Sequence, residues 1–125
     1  TQEMMNILRD KVAKYEIGEL FQKENVDISY FAQRWFLLIF MQDLPLKEVI
    51  HIWSYLIENL ANKDSANFHD LLIDCCLSAA VLMTNQCKGK YDSQIISTMH
   101  NISMISSESI IKPPDQHFIK KKKRI

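Results

Sequence analysis

Arg34 is the first candidate for chemistry in this chain of 125 residues, because it is a charge inside the most apolar stretch of the sequence, residues 29–42. Burying an unpaired guanidinium is costly, so it needs a carboxylate or carbonyl groups beside it. One interpretation is an arginine that binds a phosphate. The favoured interpretation is a structural ion pair with Asp43, Glu48 or Asp74. Asp74 also stands alone in an apolar stretch, and we predict that it pairs with Arg34.

Cys75, Cys76 and Cys87 are the next candidates. Structural zinc sites usually take cysteines in pairs about two to four residues apart, whereas adjacent residues of a helix point in different directions. We therefore favour free thiols in a core, as in a reducing compartment. The four histidines form no motif and are expected at the surface: His51, His69, His100 and His117. Two glycines are too few for a phosphate-cradling loop, so we predict no cofactor and no metal site.

Five of the fifteen basic residues are consecutive: Lys120, Lys121, Lys122, Lys123 and Arg124. The net charge is zero, so the rest of the chain carries ten basic and fifteen acidic residues. Such a run can bind an anionic membrane or nucleic acid, with about 1 kcal/mol per charge near the surface. The favoured interpretation is a solvated tail with no nucleic-acid partner, and weak contact with an anionic membrane is the alternative.

Two helices joined by a corner at Pro45 must position these groups. The first, residues 29–42, is apolar on nearly every side, which predicts a helix buried on every side and so the axle of a helical domain. Pro45 suits the first turn of the second helix, where its missing N–H would have no acceptor. The stripe predicted to face the core on that helix is Leu46, Val49, Ile50, Trp53, Leu56, Ile57 and Leu60.

The remaining elements are also predicted to be helical. Their expected ranges are residues 2–14, 15–25, 68–86, 91–104 and 107–112, with a polar loop at 62–67. Gly18 should weaken its helix by about 1 kcal/mol against alanine. Asp27 or Ser29 can cap the central helix. We predict an all-α bundle of about five to seven helices over residues 1–112, followed by a flexible basic tail over 113–125.

The central pair resembles the TBC domain family, the GTPase-activating domains for Rab small GTPases. The resemblance rests on FAQRWFLLIF at 31–40, QDLPL at 42–46 and VIHIW at 49–53, with an apolar helix following at 71–83. It covers residues of about 15 to 105 and is most specific over 30–53. The motif residues are Arg34, Trp35, Phe40, Pro45 and Trp53.

The resemblance implies the C-terminal lobe of a two-lobed helical domain. In the family, catalysis uses an arginine of an I-x-x-D-x-x-R motif and a glutamine of a Y-x-Q motif, both from the N-terminal half. Residues 7–10 and 31–33 do not match these motifs, so no catalytic residue is assigned and the chain itself is predicted not to be an enzyme. Gln42-Asp43 replaces the usual Arg-Glu, and Ser54 replaces an Asp, so Arg34 must find another partner.

The resemblance favours one function and leaves one alternative. This lobe would brace the finger-bearing lobe of a Rab activator in vesicle trafficking and contact the GTPase. The alternative is a non-catalytic helical scaffold for protein interaction. No signal peptide and no span of roughly 18 apolar residues is visible, which favours a cytoplasmic protein, peripheral on endomembranes. A lone lobe should expose an apolar patch, expected on the first two helices, that drives dimerisation.

Overall fold

A computed structural model describes residues 2–38, 40, 44–61, 68–102, 105–114 and 116–119. Eight α-helices and one 3-10 helix occur in these segments. Their bounds are α1 Gln2–Val12, α2 Glu16–Lys23, α3 Ser29–Leu38, α4 Leu46–Ala61, α5 Phe68–Leu82, α6 Thr84–Cys87, α7 Asp92–His100, α8 Ser107–Ile110 and the 3-10 helix Gln116–Phe118. The predicted all-α class is confirmed. The number exceeds seven because residues 68–86 divide into α5 and the single turn α6.

Helix α5 is the central element of the bundle, because it packs against α1, α2, α3, α4, α6 and α8. Every residue of α5 from Leu72 to Val81 is buried except Asp74. The prediction that residues 29–42 form the axle is wrong. Helix α3 is uncovered along one side, where Tyr30 and Leu37 are 58% and 71% exposed. Apolar composition alone did not distinguish the two helices.

Helix α4 turns a different face to the core from the one predicted. Val49 and Leu56 are buried as expected, and Ile52 is buried with them. The other apolar residues form an exposed row, which we term the open stripe of α4: Leu46 (70%), Ile50 (55%), Trp53 (37%) and Ile57 (62%). The helix is apolar over more than half of its circumference, so the sequence pattern could not choose the direction of the core. The side chain of Leu60 lies outside the described part.

The expected apolar patch is present but lies elsewhere. On α1 and α2, the large apolar side chain counted as exposed is Ile7, at 36%, whereas α3 and α4 both carry open apolar sides. Patches of this kind usually mark contact surfaces. None of the helices in the described segments combines the length and the apolar character that crossing a bilayer requires.

Gly18 lies where the end of α1 approaches the start of α2. A Cβ atom at this position would lie 2.2 Å from the carbonyl oxygen of Val12 and 2.9 Å from the Cα atom of Ala13. Both are backbone atoms, which cannot rotate out of the way as a side chain can. The expectation that alanine would stabilise this helix is therefore wrong, because glycine permits the close approach.

Helix α2 ends in a Schellman motif that directs the chain into α3. Asn25 is in the left-handed region with φ 55°. The N–H of Val26 donates to the carbonyl of Phe21 at 2.8 Å, and the N–H of Asn25 donates to that of Gln22 at 3.3 Å. Phe21 and Val26 are both buried, which adds the apolar contact typical of this motif. The turn therefore needs no glycine.

The segment after Pro114 returns to the junction of α1 and α2. Ile119 forms an isolated antiparallel bridge with Tyr15. Gln116 Nε2 also donates to the Tyr15 hydroxyl at 3.4 Å. Residues 116–119 thus contact the body of the bundle, and the flexibility expected of residues 113–125 stays a prediction. The basic residues 120–124 and the predicted loop at 62–67 lie outside the described residues.

Candidate functional site

Trp35 lies at the centre of a row of aromatic rings that joins α2, α3 and the corner after α3. Its ring centroid is 5.0 Å from that of Phe31 and 5.3 Å from that of Phe40, and Phe31 continues to Phe21 at 5.5 Å. Trp35 and Phe40 are both 0% exposed. Such pairs contribute about 0.5–1.5 kcal/mol each beyond their burial. The motif residues Trp35 and Phe40 therefore form part of the aromatic core that packs against the corner between α3 and α4.

The corner itself is built on an unusual backbone conformation. Phe40 has a φ of 66°, in the left-handed region that bulky residues rarely adopt. Its carbonyl accepts from the N–H of Leu44 at 3.1 Å. The carbonyl of Pro45 then accepts from Glu48 at 2.9 Å and from Val49 at 3.1 Å. Pro45 thus immediately precedes α4 and caps it, one residue before the predicted position.

Arg34 does not lie in the environment that its sequence suggested. It is half-buried on α3. Asp74 is exposed, and its Oδ1 pairs with Lys11 Nζ at 2.9 Å. The prediction that Asp74 needs Arg34 as a buried partner is therefore wrong, because Asp74 is exposed to solvent and pairs with Lys11. Asp43, one of the two other expected partners, lies outside the described residues.

A polar cluster that the sequence did not predict ties α1 to the start of α3. Arg9 forms a two-pronged ion pair with Asp27, from Nε to Oδ1 at 2.9 Å and from Nη2 to Oδ2 at 3.1 Å. Arg9 Nη1 also donates to Asn6 Oδ1 at 2.8 Å. The Ser29 hydroxyl donates to Asp27 as well. These contacts, with Arg9 the largest cause, lower the pKa of Asp27 below its ordinary value.

The same cluster borders a cleft of about 330 Å³ with an apolar floor. The floor includes Val12, Phe21 and Ile28, and the rim includes Arg9 and Asp27. Both ends of the ion pair are about two-fifths exposed, so water screens it and it contributes about 0–1 kcal/mol. Arg9 is held at this rim by Asp27 and is not extended toward solvent as a catalytic arginine would be.

A second polar cluster joins α4 to α8. Ser107 donates to Glu48 Oε2 through its hydroxyl and also through its N–H, at 3.2 Å for the latter. His51 Nδ1 lies 2.8 Å from the same hydroxyl oxygen. The Ser107 hydroxyl has a single proton, which goes to Glu48, so His51 must donate from Nδ1. The hydrogen bonds from Ser107 lower the pKa of Glu48.

This trio has the residue types of a nucleophilic triad but not its geometry. In such a triad the serine donates to the histidine, and the acid bonds the other ring nitrogen. Here Ser107 donates to Glu48, and Ser107 is 1% exposed. The cluster therefore fastens the short helix α8 to α4 and has no nucleophile within reach of a substrate.

The three cysteines are buried free thiols, as predicted. Burial raises the pKa of Cys75 to about 12 and that of Cys87 to about 11, and it raises the pKa of Cys76 well above its usual range. Thiols of this kind are poor nucleophiles because the thiolate is the reactive form. Within the described segments, no three His, Cys, Asp or Glu side chains are grouped so that they could hold a metal ion.

Comparison with known proteins identifies the family to which the chain belongs. Residues 1–88, which run from α1 beyond α6, match the sequence model of the Rab-GTPase-TBC domain. The chain belongs to the Rab-GTPase-TBC domain family. The resemblance read from residues 30–53 is therefore confirmed, and the aromatic core around Trp35 lies within the matched region.

Two TBC relatives show the extent of the similarity. The chain is 30% identical over 81 residues to a TBC domain-containing protein of Schizosaccharomyces pombe, an alignment that covers 58% of this chain and 13% of that protein. It is 28% identical over 90 residues to TBC1 domain family member 13 of Homo sapiens, which covers 72% of this chain and 21% of that protein. The chain thus spans only about a fifth of the length of one relative and about an eighth of the length of the other. No solved structure gave a significant match.

The TBC motif residues divide into two groups in this structure. Trp35 and Phe40 are in the core, whereas Pro45 and Trp53 are exposed and Arg34 is half-buried. A motif tryptophan on the surface of α4 was not expected from the sequence. The buried pair therefore serves the fold, whereas Pro45 and Trp53 reach the surface of the described part.

Proposed function

We propose that this chain is the C-terminal part of a Rab GTPase-activating domain and that it braces a finger-bearing lobe supplied by the rest of the domain. The observation that carries the proposal is the family match over residues 1–88. The relatives support it, because the alignments cover only 13% and 21% of their lengths. The partner of the complete domain would be a Rab-type small GTPase on an endomembrane.

The arrangement of the arginines and glutamines supports a non-catalytic role for this part. Activation of GTP hydrolysis needs an arginine that reaches the phosphates and a group that positions water. Arg9 is bound by Asp27 on two atoms, and Arg34 is half-buried beside the aromatic core. Gln33 is exposed on α3 but is followed by Arg34 in the core motif. The fingers would therefore come from outside this chain.

The uncovered side of α3 is the surface that we assign to the bracing contact. Tyr30 and Leu37 project there, 58% and 71% exposed, from the helix whose sequence is the most specific for the family. Helices that are apolar on nearly every side are normally covered on every side. The rest of the domain would supply that cover, and in doing so would fix the position of its fingers relative to this lobe.

The test measures GTP hydrolysis by a panel of Rab proteins. The complete protein should accelerate hydrolysis, and the 125-residue chain alone should not. In the complete protein, Leu37→Glu should lower activation at least about tenfold by placing a charge in the apolar contact. Tyr91→Glu is the matched control, because Tyr91 is also 71% exposed and lies at the start of α7.

Each result has a defined meaning. Activation by the chain alone would overturn the assignment of the fingers to another segment. An inactive complete protein would overturn the activator function. Equal activity of the Leu37→Glu and Tyr91→Glu variants would overturn the bracing surface alone.

The alternative is a helical scaffold that binds proteins without activating a GTPase. It is favoured by the replacements at Gln42-Asp43 and Ser54, where this chain departs from the family pattern. The two functions differ in the sequence that precedes Thr1: both finger motifs should occur there for an activator and neither for a scaffold. Binding to GTP-loaded Rab proteins without faster hydrolysis would favour the scaffold.

A membrane contact through Lys120, Lys121, Lys122, Lys123 and Arg124 is a separate proposal. It would hold the protein near its Rab partner on the cytoplasmic face of an endomembrane. Binding to vesicles that contain anionic lipid should weaken with salt and should be lost when residues 120–125 are deleted. Binding that survives both changes would contradict it.

A further inference from the structure

The open stripe of α4 has the spacing of a helix-pairing seam. Its four residues are four, three and four positions apart, the alternation found where one helix packs along another. The spacing is also the same in both directions along the helix. Leu46 with Ile57 and Ile50 with Trp53 share one midpoint, between His51 and Ile52. The stripe is therefore symmetric about the centre of α4.

We propose that the open stripe of α4 binds the same stripe of a second copy of this chain, with the two helices antiparallel about a twofold axis at that midpoint. Each Leu46 would then lie against Ile57 of the second copy, and each Ile50 against Trp53 of the second copy. A twofold interface requires a surface that is complementary to itself.

The charges beside the stripe support the antiparallel arrangement. Lys47 and Glu58 are both exposed, at opposite ends of the stripe. With about 100° of rotation per residue, both project on the same flank of the stripe. An antiparallel pair therefore places Lys47 of each copy near Glu58 of the other, twice per dimer. In a parallel pair the Lys47 flanks of the two copies would lie on opposite sides of the interface, so that Lys47 and Glu58 would not meet.

The size of the stripe sets the expected strength. Residues 46–57 span about 17 Å of helix axis. One helix pair of this length buries less than the roughly 800 Å² per partner of a standard interface. We therefore expect a weak dimer, with a Kd of about 10–100 µM. The proposal goes beyond the activator function, because it uses α4 and leaves the α3 side around Leu37 for the rest of the domain.

Sedimentation equilibrium of the 125-residue chain, from about 1 µM to about 500 µM, tests the proposal. The wild type should pass from monomer to dimer across this range. Ile50→Glu should raise the Kd at least about tenfold, because two carboxylates would lie close to the twofold axis. Tyr91→Glu, a change of the same kind at an exposed position off α4 (71% against 55% for Ile50), should leave the Kd unchanged.

Charge reversal tests the direction of the helices. Lys47→Glu or Glu58→Lys alone should each raise the Kd about three- to tenfold, since each change places like charges together twice. The double variant should return to within about twofold of the wild type. Failure of the double variant to recover overturns the antiparallel register. A monomer throughout the range, or a dimer indifferent to Ile50→Glu, overturns the proposed surface.

Discussion

Gly18→Ala gives opposite predictions from the sequence and from the structure. Helix propensity alone favours alanine by about 1 kcal/mol. In the folded chain, however, the new Cβ atom would lie 2.2 Å from the Val12 carbonyl oxygen, whereas ordinary carbon–oxygen contacts begin near 3.3 Å. The junction of α1 and α2 must therefore open by about 1 Å, and overpacking costs about 1–3 kcal/mol in well-packed sites.

We take the upper end of that cost, because the obstructing atoms are backbone. Subtracting the propensity gain leaves a net destabilisation of about 2 kcal/mol, which corresponds to a fall in Tm of about 8 °C for a domain of this size. Urea denaturation followed by circular dichroism would measure it, with the variant and the wild type at the same low concentration. Gly89→Ala is the control, since a Cβ there meets nothing within 4 Å and only the φ of +79° opposes it.

Gly89→Ala should lower the free energy of unfolding by about 1 kcal/mol, because of its backbone conformation alone. The structural argument would be refuted if Gly18→Ala were as stable as the wild type or more stable. In that case helix propensity would decide the outcome, and the approach of α1 to α2 would be looser than described.

Three further predictions follow from burial and charge. Trp35→Ala should lower the free energy of unfolding by about 3–5 kcal/mol, whereas Trp53→Ala should cost clearly less in dilute protein, because Trp53 is 37% exposed and Trp35 is fully buried. Equal losses in urea denaturation would contradict the assignment of core and surface. Hydrogen bonds from Ser107 lower the pKa of Glu48 below 4.5, so their stabilisation is complete above that pH and is lost as the pH falls. The stability deficit of Ser107→Ala should accordingly shrink below pH 4.5, and a deficit constant with pH would refute the link. Cys87, with its pKa raised to about 11, should react with a disulfide reagent at pH 8 only at the rate of unfolding, as should the other two thiols; an immediate reaction of the native protein would contradict their burial.

The sequence predicted the helix starts that are indicated by residues close to them in the chain. Helix α5 begins at Phe68 and α8 begins at Ser107, as expected from caps and periodicity, and α4 begins within one residue of the predicted start at Pro45. Helix α3 was predicted to continue to residue 42 but ends at Leu38. Its end is set by the left-handed Phe40, and phenylalanine gives no turn signal in a sequence.

The polar clusters could not be predicted, because their members are distant in sequence. Arg9 and Asp27 are 18 residues apart, and Glu48 and Ser107 are 59 apart. Hydrogen-bond pairing at such separations depends on how the helices pack, and no local pattern encodes it. Asp27 alone carried a usable signal, since its predicted capping role is reflected in the hydrogen bonds that it accepts from Ser29.

The corner between α3 and α4 depends on Phe40, whose side chain is buried in the core and whose backbone is left-handed. At Phe40, glycine would relieve the left-handed backbone by about 1–2 kcal/mol. It would also remove a ring whose loss from a core costs about 3–5 kcal/mol. Another apolar residue would keep the backbone penalty and lose the fit beside Trp35. Two opposing demands thus meet at one position, and the corner of this lobe tolerates neither the usual turn residue nor an ordinary hydrophobic replacement.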